Sequence, residues 1–199
     1  VILYLHGFRS SPQSFKARAM RARLAELGRL SEWQCPVLPV SPRDAIALAE
    51  AIASTAASDD VTVVGSSLGG YYATYLAEKH GWRAVLLNPA VVPQSDLSAY
   101  LGEQPLWHGG GSITVLPRHL DELRALTVDA ITRPERYFLI AATGDEVIDY
   151  RTMLARYPGV RTTLIQGSDH AISDFANYLG DVLAFCDQSP RAAVAPAAA

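Results

Sequence analysis

Short apolar runs alternate with amphipathic stretches along nearly the whole chain, and that rhythm limits the folds open to it. Val1–Leu5 ("VILYL"), Val61–Val64, Ala84–Asn88, Arg136–Ala142 and Val160–Gln166 read as strands, and Trp33–Pro39 as a weaker one interrupted by prolines. Between them the pattern predicts helices over Phe15–Leu27, Ser41–Ala57, Leu68–His80, Tyr150–Tyr157 and Ala171–Phe185. Ser14 and Gly28 bound the first helix, while Ser41, Pro42 and Asp44 suit the start of the second. Strands that alternate with helices join through right-handed crossovers, so the expected architecture is α/β, a mostly parallel sheet with helices on both faces.

Residues 89–134 break the rhythm. They hold Pro93, Pro105, Pro117, the run Gly109-Gly110-Gly111, and helical fragments near Asp96–Leu101 and Leu120–Leu126. They read as a small cap-like insert in a single domain over 1–186, followed by an Ala/Pro-rich tail, 187–199, expected to be disordered. With 199 residues, 49% of them hydrophobic, the chain can bury one sizeable core. A net charge of -3 leaves no basic footprint for nucleic acid. No apolar run approaches the roughly 18 residues of a membrane span, and "VILYL" is too short for a signal-peptide core, so a cytoplasmic protein is expected. Cys35 and Cys186 lie far apart and read as reduced, buried thiols; nothing in their spacing asks for a disulfide or a metal.

In open parallel sheets ligands bind beyond the carboxyl ends of the strands. The loops that matter are therefore 6–13, 65–69, 89–95, 143–149 and 167–171. One contains Gly65-Ser66-Ser67-Leu68-Gly69, which fits G-x-S-x-G between a strand and a helix. A nucleophile on so tight a turn is held in a strained backbone, and side chains two residues either side would collide. Only Ser67 has glycine at both positions; Ser66 has it at neither. His170, after the last strand, is the candidate base, and Asp145, three residues past Arg136–Ala142, the candidate acid. The chain order Ser67, Asp145, His170 is the order this arrangement uses. If His170 acts as base it must be neutral, so activity should rise with pH as it loses its proton.

Other residues in these loops have plainer readings. Asp149 is placed to cap the helix at Tyr150, Glu146 reads as solvated, and Asp169 as structural. His80 closes a helix, and His108 and His119 in the insert either line a pocket or, the favoured reading, lie at the surface. An acyl-transfer site also needs two N–H donors for an oxyanion. Leu68, after the nucleophile, offers one, and Phe8, in the loop after the first strand, the other; Gly7 permits the close approach and His6 shapes the loop. Tyr71, on the elbow helix, and Trp107, in the insert, are candidate substrate contacts. Pro93, Tyr100, Leu101, Leu106 and Leu116 either wall the site or pack on the core.

The segments "YLHGFRSSPQSFKA", "VVGSSLGGYYATYLAE", "LLNPAVVP", "TGDEVIDYR" and "GSDHAISDF" together resemble the YqiA/YcfP-type esterases of the α/β-hydrolase superfamily. The resemblance covers nearly all of the chain outside its tail. It implies a compact α/β-hydrolase fold and a serine esterase with Ser67, Asp145 and His170 as its triad. The two-step cycle of such a triad needs no metal or organic cofactor. Its substrate would be a small-molecule acyl ester or thioester such as an acyl-CoA. Arg9 and Ile172 depart from the family pattern, in which a small polar residue and an aromatic are usual, and bear on the pocket wall. A perhydrolase on the same triad, or a non-catalytic binding protein that kept the fold, are the other readings the residues allow.

Overall fold

In the computed structural model, which describes residues 1–188, the chain starts with strand β1 (Ile2–Leu5) and helix α1 (Phe15–Glu26). A two-residue β2 (Trp33–Gln34), α2 (Pro42–Ala53), β3 (Thr62–Ser66), α3 (Leu68–His80) and β4 (Arg83–Leu87) follow. Next come a short α4 (Pro93–Asp96), β5 (Gly102–Pro105), β6 (Ser112–Val115) and α5 (Pro117–Ala125). The chain closes with β7 (Tyr137–Ala142), α6 (Tyr150–Arg156), β8 (Arg161–Ile165) and α7 (Leu179–Cys186). Six strands form one parallel sheet in the order β2-β1-β3-β4-β7-β8. Helices cover both faces, as the alternation predicts.

The pleat divides the core in two. Leu3, Leu5, Val63, Leu86 and Leu139 face α2, α3, α5 and α6, packing on Ala45, Ala49, Leu76, Leu123 and Met153. Ile2, Tyr4, Val64, Val85 and Phe138 face α1 and α7, against Met20, Leu24, Val182 and Phe185. Burial on both faces explains why these strands read as apolar runs without alternation. Ser41 caps α2 by accepting the Asp44 N–H at 3.2 Å. Ser14 precedes α1 but makes no such bond: its Oγ is buried near the Tyr4 phenol, with no well-formed hydrogen bond among the described residues. Asp149 caps α6 through the Arg151 N–H at 2.9 Å.

Four elements differ from expectation: β2 spans only two residues of the expected Trp33–Pro39, and α2 stops at Ala53, short of Ala57. The last helix does not begin at Ala171. Residues 171–178 form turns and a 3-10 segment, Phe175–Asn177, before α7 starts at Leu179. Ile172 has a φ of 52°, and Asp169 takes both the N–H and the hydroxyl of Ser173, which fixes a turn where the apolar pattern reads as helix. The insert also contains an antiparallel hairpin, β5 paired with β6, that the sequence pattern does not announce. The thiols of Cys35 and Cys186 are unpaired, and burial pushes both up to about 12. Among the described residues no helix is long and apolar enough to cross a membrane. Most of the expected disordered tail, residues 189–199, lies outside the described residues.

Candidate active site

Ser67 stands between β3 and α3 with φ 53° and ψ -119°. Such a conformation costs about 1–3 kcal/mol and persists only where the surroundings enforce it. Here β4 pins the turn: the Ser67 N–H donates to the Leu87 carbonyl at 3.0 Å, and the Ala90 N–H to the Ser67 carbonyl at 3.0 Å. The glycines are there for space. A Cβ at Gly65 would lie 2.6 Å from the Gly70 Cα, and one at Gly69 would lie 2.9 Å from the His6 carbonyl oxygen. The first crowding lies within the elbow itself. The second comes from the adjacent β1, a reason for glycine that the motif alone does not reveal.

The three candidate catalytic side chains meet. His170 Nε2 lies 3.0 Å from Ser67 Oγ, and His170 Nδ1 lies 2.8 Å from Asp145 Oδ2. The Asp145 side chain is fully buried. Its other oxygen accepts the N–H groups of Val147 and Ile148, each at 2.8 Å. An acceptor fixed in this way takes the Nδ1–H of a neutral imidazole, leaving Nε2 to accept the Ser67 hydroxyl proton. The acid and base loops are held side by side: the Gly144 N–H donates to the Gly167 carbonyl at 3.0 Å, and the Gly167 N–H to Thr143 Oγ1 at 2.8 Å.

Three further residues hold the base loop, and none was singled out from sequence for this role. Asn88, fully buried at the end of β4, donates through Nδ2 to the carbonyls of Asp169 and His170 at 3.1 and 3.2 Å. Its Oδ1 accepts the Ala142 N–H at 2.9 Å. Lys16 Nζ donates to the Ala171 carbonyl at 2.5 Å. Glu146, expected to be merely solvated, accepts the His170 N–H at 3.0 Å. Asn88 just before Pro89 at a strand end is the one signal that could have been read from sequence.

The loop after β1 lies against the nucleophile, where a Cβ on Gly7 would come 3.2 Å from Ser67 Cβ. His6 shapes this loop: Nδ1 donates to the Gly7 carbonyl at 3.0 Å and Nε2 accepts the Leu38 N–H at 3.1 Å. Burial holds His6 below the ordinary imidazole range, in keeping with that neutral role. Phe8 and Leu68 both line a cleft of about 580 Å³ over Ser67 and His170, within the size range of small-molecule sites. From the insert, Pro93, Leu97, Tyr100, Trp107 and His108 form its wall. Trp107 is 65% exposed at the rim, where the Arg9 guanidinium lies 4.0 Å over its ring. Arg9 also donates through Nε to the Pro105 carbonyl at 2.5 Å, and its own carbonyl accepts the Trp107 N–H at 2.9 Å.

Several candidates lie elsewhere. Tyr71 is buried beneath α5, its hydroxyl donating to the Leu123 carbonyl at 2.9 Å and lying 3.1 Å from Thr127 Oγ1; it is not part of the cleft wall. His119 is buried, not a surface group, and its Nδ1 accepts the Leu116 N–H at the start of α5. His80 Nε2 meets Glu50 at 2.7 Å and its ring stacks on Trp82.

The model of the uncharacterised protein family UPF0227 matches residues 1–187. The chain belongs to the UPF0227 family. Three solved structures give the wider relationship of this UPF0227 member. Mouse alpha/beta hydrolase domain-containing protein 10 is 18% identical with a TM-score of 0.61, over 92% of this chain and 89% of that one. Est1E from Butyrivibrio proteoclasticus is 15% identical with a TM-score of 0.59, over 94% and 88%. Tomato methylketone synthase I is 14% identical with a TM-score of 0.67, over 94% and 97%. The fold of the UPF0227 chain is therefore that of the α/β-hydrolases. Their differing names illustrate that the chemistry must be argued from the site.

Proposed function

We propose that this chain is a serine hydrolase that cleaves carboxylic esters, thioesters included, through an acyl-enzyme. The observation that carries the reading is the continuous hydrogen-bonded run from buried Asp145 through His170 to Ser67, with the serine on a strained elbow at the floor of a cleft. His170 takes the Ser67 proton as the oxygen attacks the carbonyl carbon. Asp145 keeps the imidazole in the required tautomer and stabilises the imidazolium that forms. The Phe8 and Leu68 N–H groups receive the oxyanion. His170 then protonates the departing alcohol or thiol. Water, deprotonated by the same imidazole, attacks the acyl carbon, and the acid leaves with Ser67 restored. The names of several structural neighbours, among them a pyrethroid hydrolase, fit this class without fixing the substrate.

The test is burst-phase hydrolysis of short- and long-chain p-nitrophenyl esters, with labelling by a fluorophosphonate. Ser67→Ala should lose turnover by at least about 10⁴-fold and lose the label. Ser66→Ala should retain the label. Absence of both turnover and label in the unaltered protein would leave the hydrolase reading without support.

A further inference from the structure

The two ends of the cleft differ in chemistry. Leu68, Leu97 and Ile148, which pack toward the α3 side of the sheet, form an apolar end together with Pro93 and Tyr100. Tyr4 and Ser66 on the strands, Ser14 before α1, and Phe15 and Lys16 in its first turn line the cleft from the α1 side of the sheet. The chain has two lysines, Lys16 and Lys79. Lys79 sits at the surface and is paired with Glu50 at 2.7 Å. Lys16 is only 6% exposed, and among the described residues it forms no ion pair.

An ammonium has three donors, and the protein takes up one of them, on the Ala171 carbonyl. A neutral donor would serve that carbonyl at a smaller desolvation penalty. In the same cleft the Ser14 hydroxyl is buried near the Tyr4 phenol, with no hydrogen bond of ordinary geometry among the described residues. A substrate cleft thus contains a cation with no carboxylate in ion-pair contact among the described residues, and a hydroxyl that lacks a well-formed hydrogen bond. We propose that this end of the cleft binds an ionised acid group of the substrate, with Lys16 as counter-ion and Ser14 as a second donor, so that the enzyme acts on esters carrying a second, free carboxylate.

The inference rests on the hydrolase reading above. The carboxylates that face the amine are otherwise engaged. Asp145 holds His170, Asp169 holds Ser173, and Glu146 holds the His170 N–H. The two aspartates favour the charged amine, while burial is the larger effect and brings it down to about 8. Burial pushes the Tyr4 phenol up, against hydrogen bonding from Ser14 and Ser66, and it stays neutral. Asp96 belongs to the insert wall at the other end.

Two matched pairs of esters test the proposal. The p-nitrophenyl half-ester of glutaric acid is compared with p-nitrophenyl valerate, which places the charge on the acyl side. 4-Acetoxybenzoate is compared with 4-methylphenyl acetate, which places it on the leaving group. Each kcat/KM is normalised to the spontaneous hydroxide rate. In at least one pair the charged ester should be preferred by about tenfold or more, and Lys16→Met should bring that preference to within about twofold. A readout on the unaltered protein guards against a variant that fails to fold. The ratio of charged to neutral kcat/KM should be highest below pH 8 and fall as the amine loses its proton, while the contribution of His170 cancels in the ratio. Turnover of neutral esters with no preference in either pair, a preference that survives Lys16→Met, or a ratio flat with pH overturns the inference and leaves the hydrolase standing. Failure of every ester, with no labelling of serine, removes both.

Discussion

Asn88 shows how much of the site depends on residues that do no chemistry. Its amide joins the end of β7 to the carbonyls of Asp169 and His170, from a backbone with φ 42°. Truncating it leaves buried polar groups unpaired, at about 1–3 kcal/mol each. It also frees the histidine to move, and a displacement of about 1 Å can cost on the order of 100-fold in rate. Asn88→Ala should therefore lower kcat by about 10–100-fold with a smaller change in KM, and lower the melting temperature. Steady-state kinetics and thermal unfolding on the same preparation check this, and a fall in stability with kcat intact would make Asn88 structural only. The proposed triad was legible in sequence because each member must stand at a strand's carboxyl end, and Ser67 needs glycine on both sides. Asn88, Lys16 and Glu146 were not, because their partners are backbone groups far along the chain or, for Glu146, across two loops. Tyr71 misled for a related reason: four residues beyond Ser67 on α3, it turns beneath α5 instead of toward the cleft.

Among the elements, the buried strands and long helices could be read from apolar period and caps, because tertiary burial and local pattern agree. The β5–β6 hairpin could not. Its strands are "GEQP" and "SITV", short and mostly exposed, so no apolar alternation marks them. What fixes the hairpin is its glycine turn and a clasp to the loop after β1, where Arg9 holds the Pro105 carbonyl and the Trp107 ring. Arg9 has a φ of 60°, unusual for a long side chain, so the clasp and the loop shape come together. Its position beside Phe8 ties the cleft wall formed by residues around Trp107 to the proposed oxyanion loop. Arg9→Ser removes the ring contact and one hydrogen bond, each worth about 1 kcal/mol. The expected outcome is a rise of about three- to tenfold in KM for long-chain esters, with a smaller effect on acetate esters. An equal effect on both chain lengths would assign the clasp to the oxyanion loop instead of the wall.

At the scale of the molecule, a parallel sheet covered on both faces leaves the strand carboxyl ends as the open edge, and the five loops singled out in sequence converge there. The same architecture makes Lys16 costly, since the first turn of α1 lies over the buried face around Tyr4, Met20 and Phe175. Burial lowers its amine from 10.5 to about 8. Between these values the unfolded chain holds more protons than the folded one, so this group's contribution to stability rises with pH across that window. Below pH 8 the full penalty applies, on the order of 3 kcal/mol. Lys16→Met removes the charge and keeps the length, at the expense of one hydrogen bond to Ala171. At pH 7 the variant should melt a few degrees higher than the unaltered protein, and the gap should narrow by pH 10. Calorimetry at the two pH values measures it. A variant that melts lower at both would make the lysine a structural strut for the His170 loop. A variant that gains stability while losing its preference for charged esters would mean that the fold gives up stability at this position to keep a cation in the cleft.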